Sequence, residues 1–174
     1  MSLSNHSKTL LVLVSCSLLA ACVTAPRPLQ GQFSTLRPEE AAARQAEGEA
    51  VRWGGRIVSV QPQPDRSCFE VVAAPLGDNG RPRHVDHSDG RFIACRAGFY
   101  EPEVFAAGRE ITVTGHVEGM EVRKVGDYDY RYPRVAADVV YLWPEYQPID
   151  ARTRFYGGFG FGRGWGFGMY PYGW

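Results

Sequence analysis

The chain has 174 residues and a formal net charge of zero at pH 7, from 19 Lys and Arg against 19 Asp and Glu. That length fits one modest domain with trimmings. The balanced charge provides no field of one sign to draw nucleic acid or an anionic surface.

In chain order, a short polar start carrying Lys8 leads into an apolar stretch, Leu10 to Leu19, and then Leu19-Ala20-Ala21-Cys22. A positive n-region, an apolar segment too short to span a bilayer and small residues at the cut make a secretory signal over residues 1–21. Ending on a cysteine, the run resembles the lipobox of bacterial lipoproteins. The resemblance implies that Cys22 carries a covalent lipid and becomes the first mature residue. Val23 follows where such proteins commonly place an aspartate when they stay at the inner membrane. Its absence implies export to the outer membrane, with the body expected in the periplasm. The lipid is the only attached group expected, and no cofactor is. The mature chain keeps 153 residues, with 18 basic against 19 acidic. No second apolar run is long enough to cross a membrane.

Residues 22–48 read as a tether and a short helix. Val23 to Thr35 holds Pro26, Pro28, Gln30, Gly31 and Gln32, a composition suited to lifting a domain off a membrane. Pro38 to Glu47 follows, with proline at the first turn, acids next, alanines within and Gly48 after. A helix so short needs a domain to pack on.

Residues 49–146 read as strands. Val51 to Val60 is the first, and its Gly54-Gly55 predicts a bulge or sharp bend. Ser67 to Leu76 is the second, stopped by Gly77-Asp78-Asn79-Gly80. A polar loop runs to Gly90. Arg91 to Ala97 is the third, and Glu101 to Gly108 a helical turn or compact loop. Glu110 to Val117 is the fourth, able to continue as a hairpin through Gly119 to Val125. Arg134 to Trp143 is the fifth, stopped by Pro144. Five short strands with a connector between the third and fourth predict a small OB-like Greek-key barrel, closed with the help of the strand glycines. A five-stranded open sheet or sandwich shares the same periodicity.

The lipobox, the short helix and Val51-Arg52-Trp53-Gly54-Gly55-Arg56-Ile57 come in that order. Glu70-Val71-Val72-Ala73-Ala74-Pro75-Leu76 and Gly98-Phe99-Tyr100-Glu101-Pro102 follow, then Ile111-Thr112-Val113-Thr114-Gly115 and Val140-Tyr141-Leu142-Trp143-Pro144. Together with a tail rich in glycine and aromatics, these resemble the Slp family of outer-membrane lipoproteins, named for a starvation-inducible member. The Arg52-Trp53-Gly54-Gly55 block is the most specific part. The resemblance implies an envelope lipoprotein with a structural, stress-related or interaction role. It supplies no catalytic residue.

Cys68 and Cys95 lie outside that pattern. They stand on consecutive strands, in an oxidising compartment that favours a disulfide. An antiparallel register that opposes them also pairs Phe69 with Ala94 and Val71 with Phe92. A reactive thiol pair would more often show Cys-x-x-Cys spacing. His84, Asp86, His87 and Asp89 share one loop and are weak zinc or copper candidates, without helical spacing or a cysteine. His116 stands alone on a strand. Gly54-Gly55 and Gly157-Gly158 lack the lysine and hydroxyl of a phosphate loop, and no serine sits in a nucleophile elbow.

Arg52, Trp53 and Arg56 are candidate ligand contacts on the barrel face, with Tyr128, Tyr130 and Tyr132 beside them. A module that binds a glycan, peptide or small ligand is the alternative to that structural, stress-related or interaction role, and nucleic acid is disfavoured by compartment and charge. The expected partners are the membrane through the lipid, and an envelope protein or glycan. Residues 147–174 form a low-complexity tail. From Gly158 to Gly168 glycine alternates with Phe159, Phe161, Arg163, Trp165 and Phe167. Such a segment cannot bury a core of its own and is expected to be disordered in the free monomer. It could order on a partner or on lipid headgroups, where Trp and Tyr are at home.

Overall fold

The computed structural model describes residues 24–145. The expected lipidation at Cys22 and the expected disordered tail, 147–174, lie outside the described residues.

Among the described residues a 3-10 turn (Arg27–Leu29) and one α-helix, α1 (Pro38–Arg44), precede five strands: β1 (Ala50–Pro62), β2 (Arg66–Ala73), β3 (Arg91–Ala97), β4 (Glu110–Val125) and β5 (Tyr128–Leu142). The strands close into a ring in the order β1-β2-β3-β5-β4. Neighbours run antiparallel except β3 and β5, which are parallel from Ile93↔Arg134 to Cys95↔Ala136. This is the five-stranded Greek-key closure of OB-type barrels. The open-sheet alternative is excluded because each of the five strands pairs with two others, leaving no edge strand.

Alternation explains the core. Val51, Trp53 and Ile57 of β1, Phe69 and Val71 of β2, Phe92 and Ala94 of β3, and Ile111 and Val113 of β4 point inward and are buried together. Ala41 of α1 joins them, and the Trp53 and Phe92 rings meet edge-on at 5.5 Å. At the other end of the ring Tyr100 and Phe105 stack against Phe69 at 5.3 and 5.4 Å. These two rings belong to the Glu101–Gly108 connector and its approach, a run of turns rather than a helix.

Gly55 is needed for closure, although no bulge falls there. It pairs with Ala73 on one side and Ile111 on the other, and a Cβ on it would lie 1.9 Å from the Val72 carbonyl oxygen. The bulge expected at Gly54-Gly55 falls instead between Ile57 and Ser59. Gly115, by contrast, does sit at a register shift, between Thr114 and Gly115.

α1 is shorter than its sequence pattern. Glu40 reaches back to the Arg37 N–H and pairs with the Arg37 guanidinium at 2.6 Å, which defines the start. Gln45 adopts the left-handed conformation (φ 52°) and stops the helix before Ala46 and Glu47. The left-handed cap therefore comes three residues ahead of Gly48.

β4 runs on to Val125 as the hairpin reading allowed, and β5 begins six residues earlier than expected, at Tyr128. They continue past the ring as a hairpin paired from Gly119↔Arg134 to Val125↔Tyr128. The hairpin folds over the outer face of β2 and β3. There Tyr132, Ile93, Cys68 and Cys95 form a second buried cluster, flanked by Tyr130 and Val125. Tyr132 is therefore interior rather than a surface contact, and Tyr130 half-buried. Tyr128 is the exposed member of the three.

The stretch read as a tether differs most from expectation. From Ala25 onward it is an arm laid on the outside of the ring. Leu29 is wholly buried and forms a third cluster with Ala25 and Trp143. Ser34 bridges to Val51 in parallel, with its N–H donating to the Ala50 carbonyl. Leu29 and Ala25 supply the apolar surface that a free tether would lack. Burying a leucine side chain is worth about 2 kcal/mol.

Candidate functional site

The arm creates a cavity. Residues 31–38 cross over the start of β1 and the segment after β2, leaving a space of ≈ 590 Å³. Phe33, Leu36, Trp53, Pro75 and Leu76 give it apolar walls, and Arg37, Arg52 and Asp89 line it as well. A cleft that sets polar groups among apolar walls is a usual form of a ligand site.

The side chains of Arg37, Arg52, Trp53 and Asp89 already have partners. Arg52 points outward from β1 and donates to the Leu29 carbonyl at 3.0 Å, with its guanidinium 5.4 Å from the Phe33 ring centre. Trp53 points inward, is buried, and donates its indole N–H to the Leu36 carbonyl at 2.7 Å. Arg37 lies 3.8 Å from the buried Asp89 carboxylate. The hydrogen bonds of Arg37 and Glu40 raise the first and lower the second from their ordinary values, keeping both charged.

The sequence candidates Arg52, Trp53 and Arg56 are thus not one patch. Arg52 and Trp53 line the cavity under the arm. Arg56 is exposed and lines a separate cleft of ≈ 440 Å³ with Arg83, His84 and His87.

The four metal candidates also separate. His84 pairs with Glu110 at 3.1 Å, while Asp89 is buried beside Arg37. Asp86 and His87 are exposed in the loop. Among the described residues no three His, Cys, Asp or Glu side chains converge as a metal would require. His116 is exposed on β4, 3.8 Å from Asp138.

Cys68 and Cys95 are directly paired and joined by a disulfide with Cα atoms 4.1 Å apart. Phe69↔Ala94 and Val71↔Phe92 follow in the same register. The bond lies beneath the β4–β5 hairpin. Above it the Tyr132 hydroxyl donates to Glu70 at 2.8 Å, and Glu70 also accepts from Arg91 at 2.8 Å.

The arm's own residues were missed as site residues. Phe33 and Leu36 were legible only as two apolar side chains in a polar segment. The chain-end cluster was missed too. There Trp143 donates to Thr112 Oγ1 at 2.9 Å, Arg81 to the Pro144 carbonyl at 3.0 Å, and Arg109 to the Trp143 carbonyl at 3.1 Å.

A ring-closed five-stranded sheet of this order, with an arm roofing a cleft, defines an OB-like β-barrel domain. The chain belongs to the Slp family of outer membrane lipoproteins, whose sequence model matches residues 19–174. Its localisation is accordingly the outer membrane. It is 31% identical to the uncharacterized lipoprotein YeaY of Escherichia coli K12 over 169 residues, covering 90% of this chain and 83% of that one. An uncharacterized protein of Haemophilus influenzae Rd is 32% identical over 142 residues, with 78% and 75% covered. Outer membrane protein Slp of Escherichia coli K12 is 23% identical over 171 residues, with 93% and 90% covered. Among solved structures, a small single-stranded DNA-binding protein from Streptomyces coelicolor is similar at TM-score 0.37 and 10% identity. That likeness covers 55% of this chain and 94% of that one, and at this level it says nothing of function. No helix among the described residues is long and apolar enough to cross a membrane.

Proposed function

We propose that the protein is a non-catalytic interaction module of the cell envelope. It is held at the outer membrane by acyl chains on Cys22, with its body in the periplasm. The observation that carries the interaction role is the ≈ 590 Å³ cleft under the arm. Its mixture of apolar walls and polar groups fits a peptide or glycan segment better than a nucleic acid, which would need a basic groove.

Three serine and threonine hydroxyls support a non-catalytic reading. Ser67, Ser88 and Thr112 donate to the backbone carbonyls of Gly98, Ala73 and Gly80. None donates to a histidine or carboxylate that would make it a nucleophile.

The test is an NMR titration of the mature domain with peptidoglycan-derived glycan and peptide fragments. Saturable shifts at Gly31, Thr35, Arg52 and Leu76, weakened in Arg52→Ala, support the module. Shifts scattered over the surface, or none at any concentration, would leave a purely structural role in the envelope as the better reading.

A further inference from the structure

The cleft under the arm holds a buried charge that the fold pairs but does not hydrogen-bond. Asp89 is 8% exposed and lines the cleft. Its N–H donates to the Ala73 carbonyl, which fixes the residue at the end of β2. Among the described residues its carboxylate has one cation within 4 Å, Arg37 at 3.8 Å, and that is beyond hydrogen-bond reach. Nε and one terminal nitrogen of Arg37 go to Glu40 instead, at 3.0 and 2.6 Å. Among the described residues no sealed side-chain oxygen lacks a partner, so the Asp89 oxygens open on the space the residue lines. Buried carboxylates are normally met by donors. Here the donors have to come from whatever fills the cleft.

Arg52 lines the same cleft and does not pair with Asp89. Among the described residues it donates once, to the Leu29 carbonyl at 3.0 Å, while a guanidinium carries five N–H groups. Its β1 neighbour Gly54 accepts from Ala74, next to the Ala73 that holds Asp89, so the two charges sit on different segments of one wall. The cleft thus offers an unbonded carboxylate and a guanidinium with unused donors, alongside the apolar surfaces of Leu36, Pro75 and Leu76.

We propose that the arm cleft binds a short zwitterionic peptide, with its ammonium at the Asp89 carboxylate, its carboxylate at Arg52 and an apolar side chain against Leu36 and Leu76. The proposal rests on the cleft being the interaction site and narrows its ligand to a peptide with free ends. A neutral sugar would bring Asp89 hydroxyl donors but no countercharge. Charge-assisted bonds are the stronger kind, and a carboxylate that loses water on ligand binding needs a countercharge. The ≈ 590 Å³ of the cleft lies within the roughly 300–1,000 Å³ of small-ligand sites, which suits a short segment and not a folded partner.

The test is calorimetry and NMR titration of the mature full-length chain carrying Cys22→Ser. The probes are the tripeptide Ala-Leu-Ala with free ends, its N-acetylated and C-amidated forms, and an uncharged N-acetylglucosamine trimer. The free-ended peptide is expected to give saturable shifts at Leu36, Arg52 and Asp89. Acetylation and amidation should each weaken binding about tenfold or more, as loss of one charge-assisted bond would. Asp89→Asn should weaken the free-ended peptide to the same degree and leave the acetylated one unchanged. In Arg52→Ala amidation should make no further difference. Should circular dichroism show that Asp89→Asn does not fold, the capped and free peptides on the unsubstituted cleft decide alone. Equal affinity for free and acetylated peptide, or an acetylation penalty that persists in Asp89→Asn, overturns the proposal. Saturable shifts at these residues with the sugar trimer and none with any peptide also overturn it, while leaving the cleft as an interaction site. No shift with any probe overturns both readings.

Discussion

The indole N–H of Trp53 donates to the carbonyl of Leu36 at 2.7 Å, and this bond ties the arm to the barrel core. Trp53 is 5% exposed, so its polar atom has no access to bulk water as a substitute partner. Trp53→Phe keeps most of the apolar bulk and removes the donor, leaving the Leu36 carbonyl short of a bond. The expected loss is about 1–3 kcal/mol. Urea unfolding measures it. Limited proteolysis should also show faster cutting between residues 31 and 37, and unchanged cutting there would contradict the role given to this bond.

The Cys68–Cys95 bond closes a loop with a sequence separation of 27. The chain-entropy model gives about 3–4 kcal/mol for such a loop. Replacing both cysteines with alanine should lower stability by up to that amount. Both sulfurs lie under the hairpin, with Cys68 3% and Cys95 6% exposed. Mild reductant should therefore leave the folded protein oxidised and act quickly once it is unfolded. Two free thiols in native protein purified from the periplasm would refute the bond.

Gly55→Ala should be among the most damaging substitutions in the ring. The new methyl would overlap the Val72 carbonyl oxygen, which is fixed by β1–β2 pairing. Backbone on both sides of β1 leaves no direction for relief. The expected cost is about 3 kcal/mol or more, beyond ordinary overpacking. Circular dichroism melts decide it, and a midpoint within error of wild type would mean the ring relaxes there.

Stability should fall at alkaline pH through Tyr132. Burial, and next the hydrogen bond to Glu70, raise its hydroxyl above the ordinary value, with Arg91 opposing. A group raised in the folded state stabilises it below the unfolded pKa. That contribution is lost as pH rises through the ordinary tyrosine range, about 10, toward the folded value. Tyr132→Phe should remove this part of the alkaline decline. Chemical denaturation at stepped pH measures it, and identical profiles for the two proteins would rule it out.

Acylation at Cys22 predicts a precursor that persists in Cys22→Ser, with no palmitate label and loss from the outer-membrane fraction. Intact mass of the wild-type chain should show lipid on a chain that begins at residue 22. A lipid-free wild-type chain that begins elsewhere would exclude it.

Much of the ring was legible in the residues. Inward positions such as Phe69, Val71, Ile111 and Val113 alternate at the period of a strand, and the Cys68–Cys95 register follows from hairpin arithmetic alone. These features are local, because each depends on a side chain's place in its own strand or in an adjacent one. Thr112 and Thr114 could not be read that way. Their alternation marks them as outward, yet they are 0% and 4% exposed because the arm and the chain ends cover that face.

The sequence by itself carried the expectation of a signal and of lipidation at Cys22, and it determined five strands and the disulfide register. Those rest on short-range pattern and residue chemistry. Only the tertiary structure decided that the supposed tether is an arm, that Arg56 leaves the site shared by Arg52 and Trp53, and that the metal candidates stand apart. It also gathered Arg52, Arg81 and Arg109 at the chain ends of a neutral protein. Such placements depend on which distant segments meet, from residue 29 to residue 143. Meetings across that separation are settled by packing of the closed ring, and no local period encodes them.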